Sequence, residues 1–549
     1  MRNKWSILLL LLLSTLSLSA VNISGTISYE RVHPLHNGGS TILDYNNITT
    51  EKAKQVIVEA INSSGDRVAT TSTDDNGEYL LSNLQSNTNI KIRVYAKMLK
   101  SSKWDVKVID NIHGNAQYVI EGNFHSTGTQ NRRRSLTAQA STKQSPPFAI
   151  LDSVYGAMKK VISADSSVVF PPLKMNWSIN NTESGTYYDG DDNIMIQGDQ
   201  KGDSDEYDDH IMIHEWGHYF EAKFSRADSI GGGHASGNHL DIRLAFGEGW
   251  GNALSGMVTD DPIYFDTMTS NGTPVGWNMN VESATHDTPG WFSEASTQRI
   301  LYDLYDSHDD GADQLSLGFK PIYDVLVGSQ KTTKAFTSIF TFTTALKENN
   351  SNDSGKIDSI ISNENIATID DIYGSNRLNN TEEESLPIYA KLTIDQTLDN
   401  VCTTKKYGLN NKLNNHKFVK FNIKNSGTYP IRIEQNNGTI SDPDFILFKS
   451  SPFTQVSLSE SATKGLEEDS LYLETGDYLL DIYNTNNISK SCFYVSVGKV
   501  TLRGEKREGS ASSSNSVGFS LPNNPLKIIL LILVISLIPA LFIRKELKI

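Results

Sequence analysis

Apolar residues recur at every second position near both ends of this chain, and at every third or fourth position in between. Near the N-terminus the alternating runs are QVIVEAI, RVATTST, EYLLSNL and IKIRVYA, with Ser63-Ser64-Gly65-Asp66 and Asp74-Asp75-Asn76-Gly77 among the breaks between them. Near the C-terminus they are KFVKFNI, TYPIRIE, DFILFKS, SLYLETGDYLLDIYN and CFYVSV. Period-two runs joined by Asn, Asp and Gly turns predict antiparallel β-sandwiches. The middle reads differently. LDSVYGAMKKVI places Leu151, Val154, Tyr155, Met158 and Ile162 on one helical face. The strand-like pieces LKMNWSI and NIMIQGD follow, then helical patterns in HIMIHEWGHYFEAKF, LAFGEGWGNALSGMV and STQRILYDLYD. A few strands followed by helices predict an α+β domain. A chain of 549 residues has room for three or four domains. The expected order is a β-sandwich over 21–100, a linker or pro-segment over 101–145, an α+β domain over 146–375, a second β-sandwich over 388–500 and a charged, Ser-rich tether over 501–524.

The two termini carry targeting signals. Arg2 and Lys4 precede the apolar run Ile7–Leu13, and small residues follow to Ala20. This predicts a secretory signal peptide over 1–20. Residues 526–543 form an apolar segment followed by Arg544, Lys545 and Lys548. It predicts a transmembrane or sorting helix whose basic end stays in the cytoplasm, so the bulk of the chain is expected outside, at the cell surface. In an exported chain the two cysteines, Cys402 and Cys492, are expected as a disulfide. The net charge of −15 argues against nucleic acid as the main partner. The one basic triplet, Arg132-Arg133-Arg134, reads as a solvated or cleavable linker.

The chemistry concentrates in HEWGH, residues 214–218. On a helix, His214 and His218 project from one face a turn apart, a spacing that lets two imidazoles grip one ion. Glu215 lies beside them, placed to hold a metal-bound water. Candidates for a third ligand are Asp228, Asp241 and Glu248. Glu248 stands in AFGEGWGNALSG, where Gly247, Gly249 and Gly251 let helices approach closely. In the thermolysin-like peptidases, which this pair of motifs resembles, the position four residues after that glutamate is often acidic and orients a ligand histidine; here it is Asn252, which can accept a hydrogen bond but carries no charge. Gly231-Gly232-Gly233 reads as a gate or a plain connector, NIMIQGD as a substrate-pairing sheet edge or ordinary core, and His234 and His239 as loop residues. Trp216 and Trp250 are expected in the core. The acidic stretch GDQKGDSDEYDD could take Ca2+ or form a solvated turn.

Three segments resemble known families. TDDNGEYLLSNL resembles carboxypeptidase-regulatory-like (transthyretin-like) modules, which implies an accessory sandwich with no chemistry. LETGDYLLDIY resembles bacterial pre-peptidase C-terminal sandwiches. HEWGH with GEGWGN resembles the gluzincin zinc metallopeptidases. That resemblance implies a zincin-like α+β domain, Zn2+ held by His214, His218 and Glu248, Glu215 as general base, and a protein or peptide substrate. It also implies a later His or Tyr that steadies the oxyanion, for which His286 and Tyr302 are the candidates. The alternatives are a surface-binding protein with an inactive peptidase-like core, and a zinc hydrolase of another bond.

Overall fold

The computed structural model describes residues 20–37, 40–182, 185–283, 288–307, 314–376, 383–484 and 489–499. The expected signal peptide, up to residue 19, and the apolar segment 526–543 lie outside these. No described helix is long and apolar enough to cross a membrane. The chain is built mostly on β-sheets and divides into two compact units, residues 1–229 with 236–387, and residues 230–235 with 388–549.

The first unit begins with β1 (Ala20–Asn37), β2 (Ser40–Lys52), β3 (Val56–Asn62), β4 (Arg67–Ser72), β5 (Glu78–Gln85), β6 (Asn89–Lys100) and β7 (Trp104–Asp110). Alternation decides which face each strand buries. In β6, Ile90, Ile92, Val94, Ala96 and Met98 are buried while the residues between them are at least partly exposed. The turn before β5 needs its glycine. Gly77 has φ +70°, and a Cβ there would lie 2.5 Å from the Ile27 carbonyl oxygen. The Asp74 carboxylate fastens this turn by accepting from the Asn76 and Glu78 N–H groups.

The stretch 101–145 is not a linker. Its strand β7 runs antiparallel to β6 and parallel to the strand Leu173–Trp177, with Val106 opposite Leu173 and Val108 opposite Met175. The sheet continues through Asn193–Ile196 to an edge at Tyr187–Tyr188. One sheet therefore joins the expected sandwich to the expected α+β region. The basic triplet is held as well: Arg132 and Arg133 pair with β1, and the Arg134 carbonyl accepts from the Tyr79 hydroxyl at 2.6 Å. Asn193–Ile196 is not the edge either, because Tyr187–Tyr188 covers it.

Seven α-helices follow among the described residues: α1 (Pro146–Ala164), α2 (Asp209–Phe224), α3 (Ile242–Thr259), α4 (Glu294–Tyr305), α5 (Phe319–Val325), α6 (Ile339–Asn349) and α7 (Ser354–Asn363). Two prolines in the first turn of α1 suit positions that need no N–H partner. The Asp241 carboxylate caps α3 by accepting from the Arg243 N–H. Trp216 and Trp250 are fully buried.

The second unit is a β-sandwich. One sheet has the order 389–391, 416–423, 476–484, 443–450, 453–459, and the other 397–403, 491–497, 427–438, 466–473. Phe421, Phe445, Leu447, Leu480 and Ile482 from the first share a core with Ile431, Ile433, Phe493 and Val495 from the second. Cys402 and Cys492 are cross-strand partners and form a disulfide. Residues 230–235 belong to this unit because Asn411 donates to the Gly231 and Gly233 carbonyls.

Candidate metal centre

Helix α2 carries HEWGH and α3 carries GEGWGN, and glycines set how closely the two approach. A Cβ on Gly217 would lie 3.2 Å from the Gly251 Cα. The Trp250 indole N–H donates to the Gly217 carbonyl at 3.2 Å, locking the crossing. On the other side of α3, a Cβ on Gly249 would meet the Thr297 side chain of α4 at 2.5 Å. The glycine-rich motif thus lets α3 pack tightly against two helices at once.

This packing brings three donors together. The Nε2 atoms of His214 and His218 are 3.0 Å apart. Glu248 Oε2 lies 3.2 Å from the first and 3.6 Å from the second. His214 and Glu248 are buried, and His218 is half-buried. On the far side of the His214 ring, Nδ1 lies 2.8 Å from Asn252 Oδ1. The Asn252 amide nitrogen in turn donates to Gln298 Oε1 at 3.0 Å. That bond leaves the Asn252 oxygen as the acceptor, so the proton of His214 sits on Nδ1 and the lone pair of Nε2 faces Glu248. Burial opposes a charge on His218, but Glu248, with Glu215 and Glu221 behind it, prevails and pushes its pKa up to about 10. The pocket therefore favours positive charge.

Glu215, next to His214 in sequence, is held by the edge strand. Its Oε2 accepts from the Tyr188 backbone N–H on the edge strand at 2.8 Å. The two aspartates weighed as third ligands are engaged elsewhere. Asp228 pairs with Arg226 and accepts from the Thr337 N–H, and Asp241 pairs with Arg243. Tyr302 packs against Gly256, two turns beyond Glu248 and so about 12 Å along α3 from it. His286 lies outside the described residues. His239 stacks on Phe292 at 4.3 Å, and the His234 ring bonds the Gly232 carbonyl.

Two neighbours of the centre escaped the sequence reading. The Tyr188 contact is made by a backbone group, which no side-chain pattern reveals. Tyr264, on the strand Ile263–Asp266, has its ring centre 6.3 Å from that of His214, the two rings nearly perpendicular, and stacks on Trp277. Burial raises its pKa first, with Asp266 and Glu215 adding to the shift.

Residues 163–364 match the family described as the mycolysin C-terminal domain. The span is less than half of the chain and includes both HEWGH and GEGWGN. It marks the chain as peptidase-related. A search of curated proteins finds no match. Among solved structures, the pre-peptidase C-terminal domain of a Bacillus anthracis collagenase is 14% identical, with 20% of this chain covering 93% of that one at a TM-score of 0.17. A periplasmic inhibitor of g-type lysozyme from Aeromonas hydrophila, PliG, is 12% identical, with coverages of 20% and 96% and a TM-score of 0.13.

Proposed function

We propose that this chain is an exported zinc-dependent peptidase. One observation carries the reading: two imidazole nitrogens from α2 and a carboxylate oxygen from α3 lie within 4.8 Å of one another. Two nitrogens and one oxygen are a zinc donor set that leaves a fourth position open. The match of residues 163–364 to a peptidase-associated family supports the same reading.

His214, His218 and Glu248 would hold the ion. Asn252, backed by Gln298, fixes the tautomer that presents the Nε2 of His214. Zinc, when bound there, lowers the pKa of a water toward 7 and polarises the carbonyl of the scissile bond. Glu215 is the general base. The Tyr188 N–H holds its Oε2, which leaves Oε1 to take the proton from the attacking water and pass it to the leaving amine nitrogen. The apolar segments at the two ends of the chain support export and a C-terminal anchor.

Metal analysis with a casein assay of wild type and Glu215→Gln tests this reading. The expected result is stoichiometric zinc in both proteins, with proteolysis in the wild type alone. Full zinc without Glu215-dependent proteolysis would sink it.

A further inference from the structure

Outside the histidine cluster, Asp203, Asp205 and Asp266 converge, with one carboxylate oxygen of each within 4.8 Å of the others. The backbone builds this convergence. Asp203 pairs with Met268, Ser204 pairs with Gly198, and the Thr269 N–H donates to the Gly202 carbonyl at 2.7 Å. The loop that leads into α2 is thereby pinned to the segment that follows the strand Ile263–Asp266.

Asp205 is 2% exposed. Its Oδ2 accepts from the Thr186 hydroxyl, but its Oδ1 has no hydrogen-bond partner, and neither does the buried Oδ1 of Asp203 or Asp266. None of the three has an ion-pair partner among the described residues. Asp208 next to them differs, since the Thr267 N–H and hydroxyl satisfy its carboxylate. Three crowded carboxylates, that of Asp205 buried and each with an unsatisfied Oδ1, repel one another and have lost much of their water. A cation at their centre reverses both costs.

We propose that Asp203, Asp205 and Asp266 form a Ca2+ site. An all-oxygen, all-anionic donor set selects a hard cation over zinc. Ligands each about 2.4 Å from a shared Ca2+ lie no more than about 4.8 Å apart, which the three oxygens satisfy. The ion would fasten the loop before α2 to the strand after α3, and so brace both helices of the histidine cluster.

Equilibrium dialysis of 45Ca2+ against the full chain, freed of metal on a chelating resin and then reloaded with one equivalent of zinc, tests the site. The wild type is expected to bind Ca2+ through this site and to melt at a higher temperature with it. Asp205→Asn and Asp266→Asn should each weaken that binding by on the order of tenfold or more and abolish the Ca2+-dependent rise in Tm, with zinc content unchanged. Each variant removes a buried charge, so the calcium-free variants should melt no lower than the calcium-free wild type. Absence of binding at millimolar Ca2+ would overturn the site. So would variants that bind Ca2+ as the wild type does, or Mg2+ competing on equal terms.

Discussion

Gly251 of α3 faces the His214 ring so closely that a Cβ on it would lie 2.8 Å from Nδ1 and 3.0 Å from Cγ. No neighbouring atom can give way cheaply, because the ring is held by Asn252 and flanked by His218. Gly251→Ala should therefore displace the imidazole or part the two helices. The expected cost is about 1–3 kcal/mol of stability, as for other overpacked sites, with a loss of zinc seen by metal analysis of the folded protein. A variant that keeps full zinc and wild-type stability would show that the helices do not approach this closely.

The Asn252 amide acts through His214. Asn252→Ala removes the acceptor for the Nδ1 proton and leaves Gln298 Oε1 without its donor. Zinc affinity should fall about 10–100-fold, the usual effect of losing a group that orients a ligand. Competition with a zinc chelator measures it. Loss of proteolysis at limiting zinc, recovered at excess zinc, separates this positioning role from unfolding.

Acid sensitivity should centre on Asp75. Burial alone would raise its pKa, but bonds from Lys159, Tyr155 and Gln55 outweigh it and bring the value down to about 2. The group is ionised more readily in the folded state, so its stabilising effect is present above the unfolded value of about 4. That effect disappears as pH falls through about 2. Asp75→Asn should lower Tm at neutral pH and flatten the dependence of Tm on pH between about 4 and 2. A wild-type slope retained by the variant would remove Asp75 as its source. The carboxylate is partly exposed, so the effect should be modest.

Local pattern made the two helices and the glycines between them legible. HEWGH and GEGWGN each specify a helix face, and the small residues announce a close crossing. What the sequence left open was set by contacts between distant segments. Asp228, Asp241 and Glu248 are all acidic and all downstream of His218; only packing shows that arginines occupy the first two. β7 carries buried Trp104, Val106 and Val108 in alternation. It is short and polar turns surround it, and its partner Leu173–Trp177 lies more than 60 residues away. The acidic stretch before α2 suggested Ca2+, but Asp266, the third member of its cluster, is 61 residues beyond Asp205 in sequence. The backbone N–H of Tyr188 that holds Glu215 has no side-chain signature at all.

The disulfide in the second unit gives a last prediction. Cys402 and Cys492 are 90 residues apart, and the strands they join are hydrogen-bonded partners in one sheet. Linking them removes from the unfolded chain the conformations in which these ends lie apart. For a loop of this length the chain-entropy model gives roughly 4–5 kcal/mol. The sandwich core is otherwise continuous across both sheets, so a Cys402→Ser, Cys492→Ser double variant should still fold. Its denaturation midpoint should drop by an amount near that estimate or somewhat below it, because unfolded chains keep some compactness. The zinc content of the first unit should not change. A double variant with an unshifted midpoint would mean that the unfolded chain already holds the two cysteines close. Loss of zinc alongside the shift would mean instead that the histidine cluster depends on the second unit.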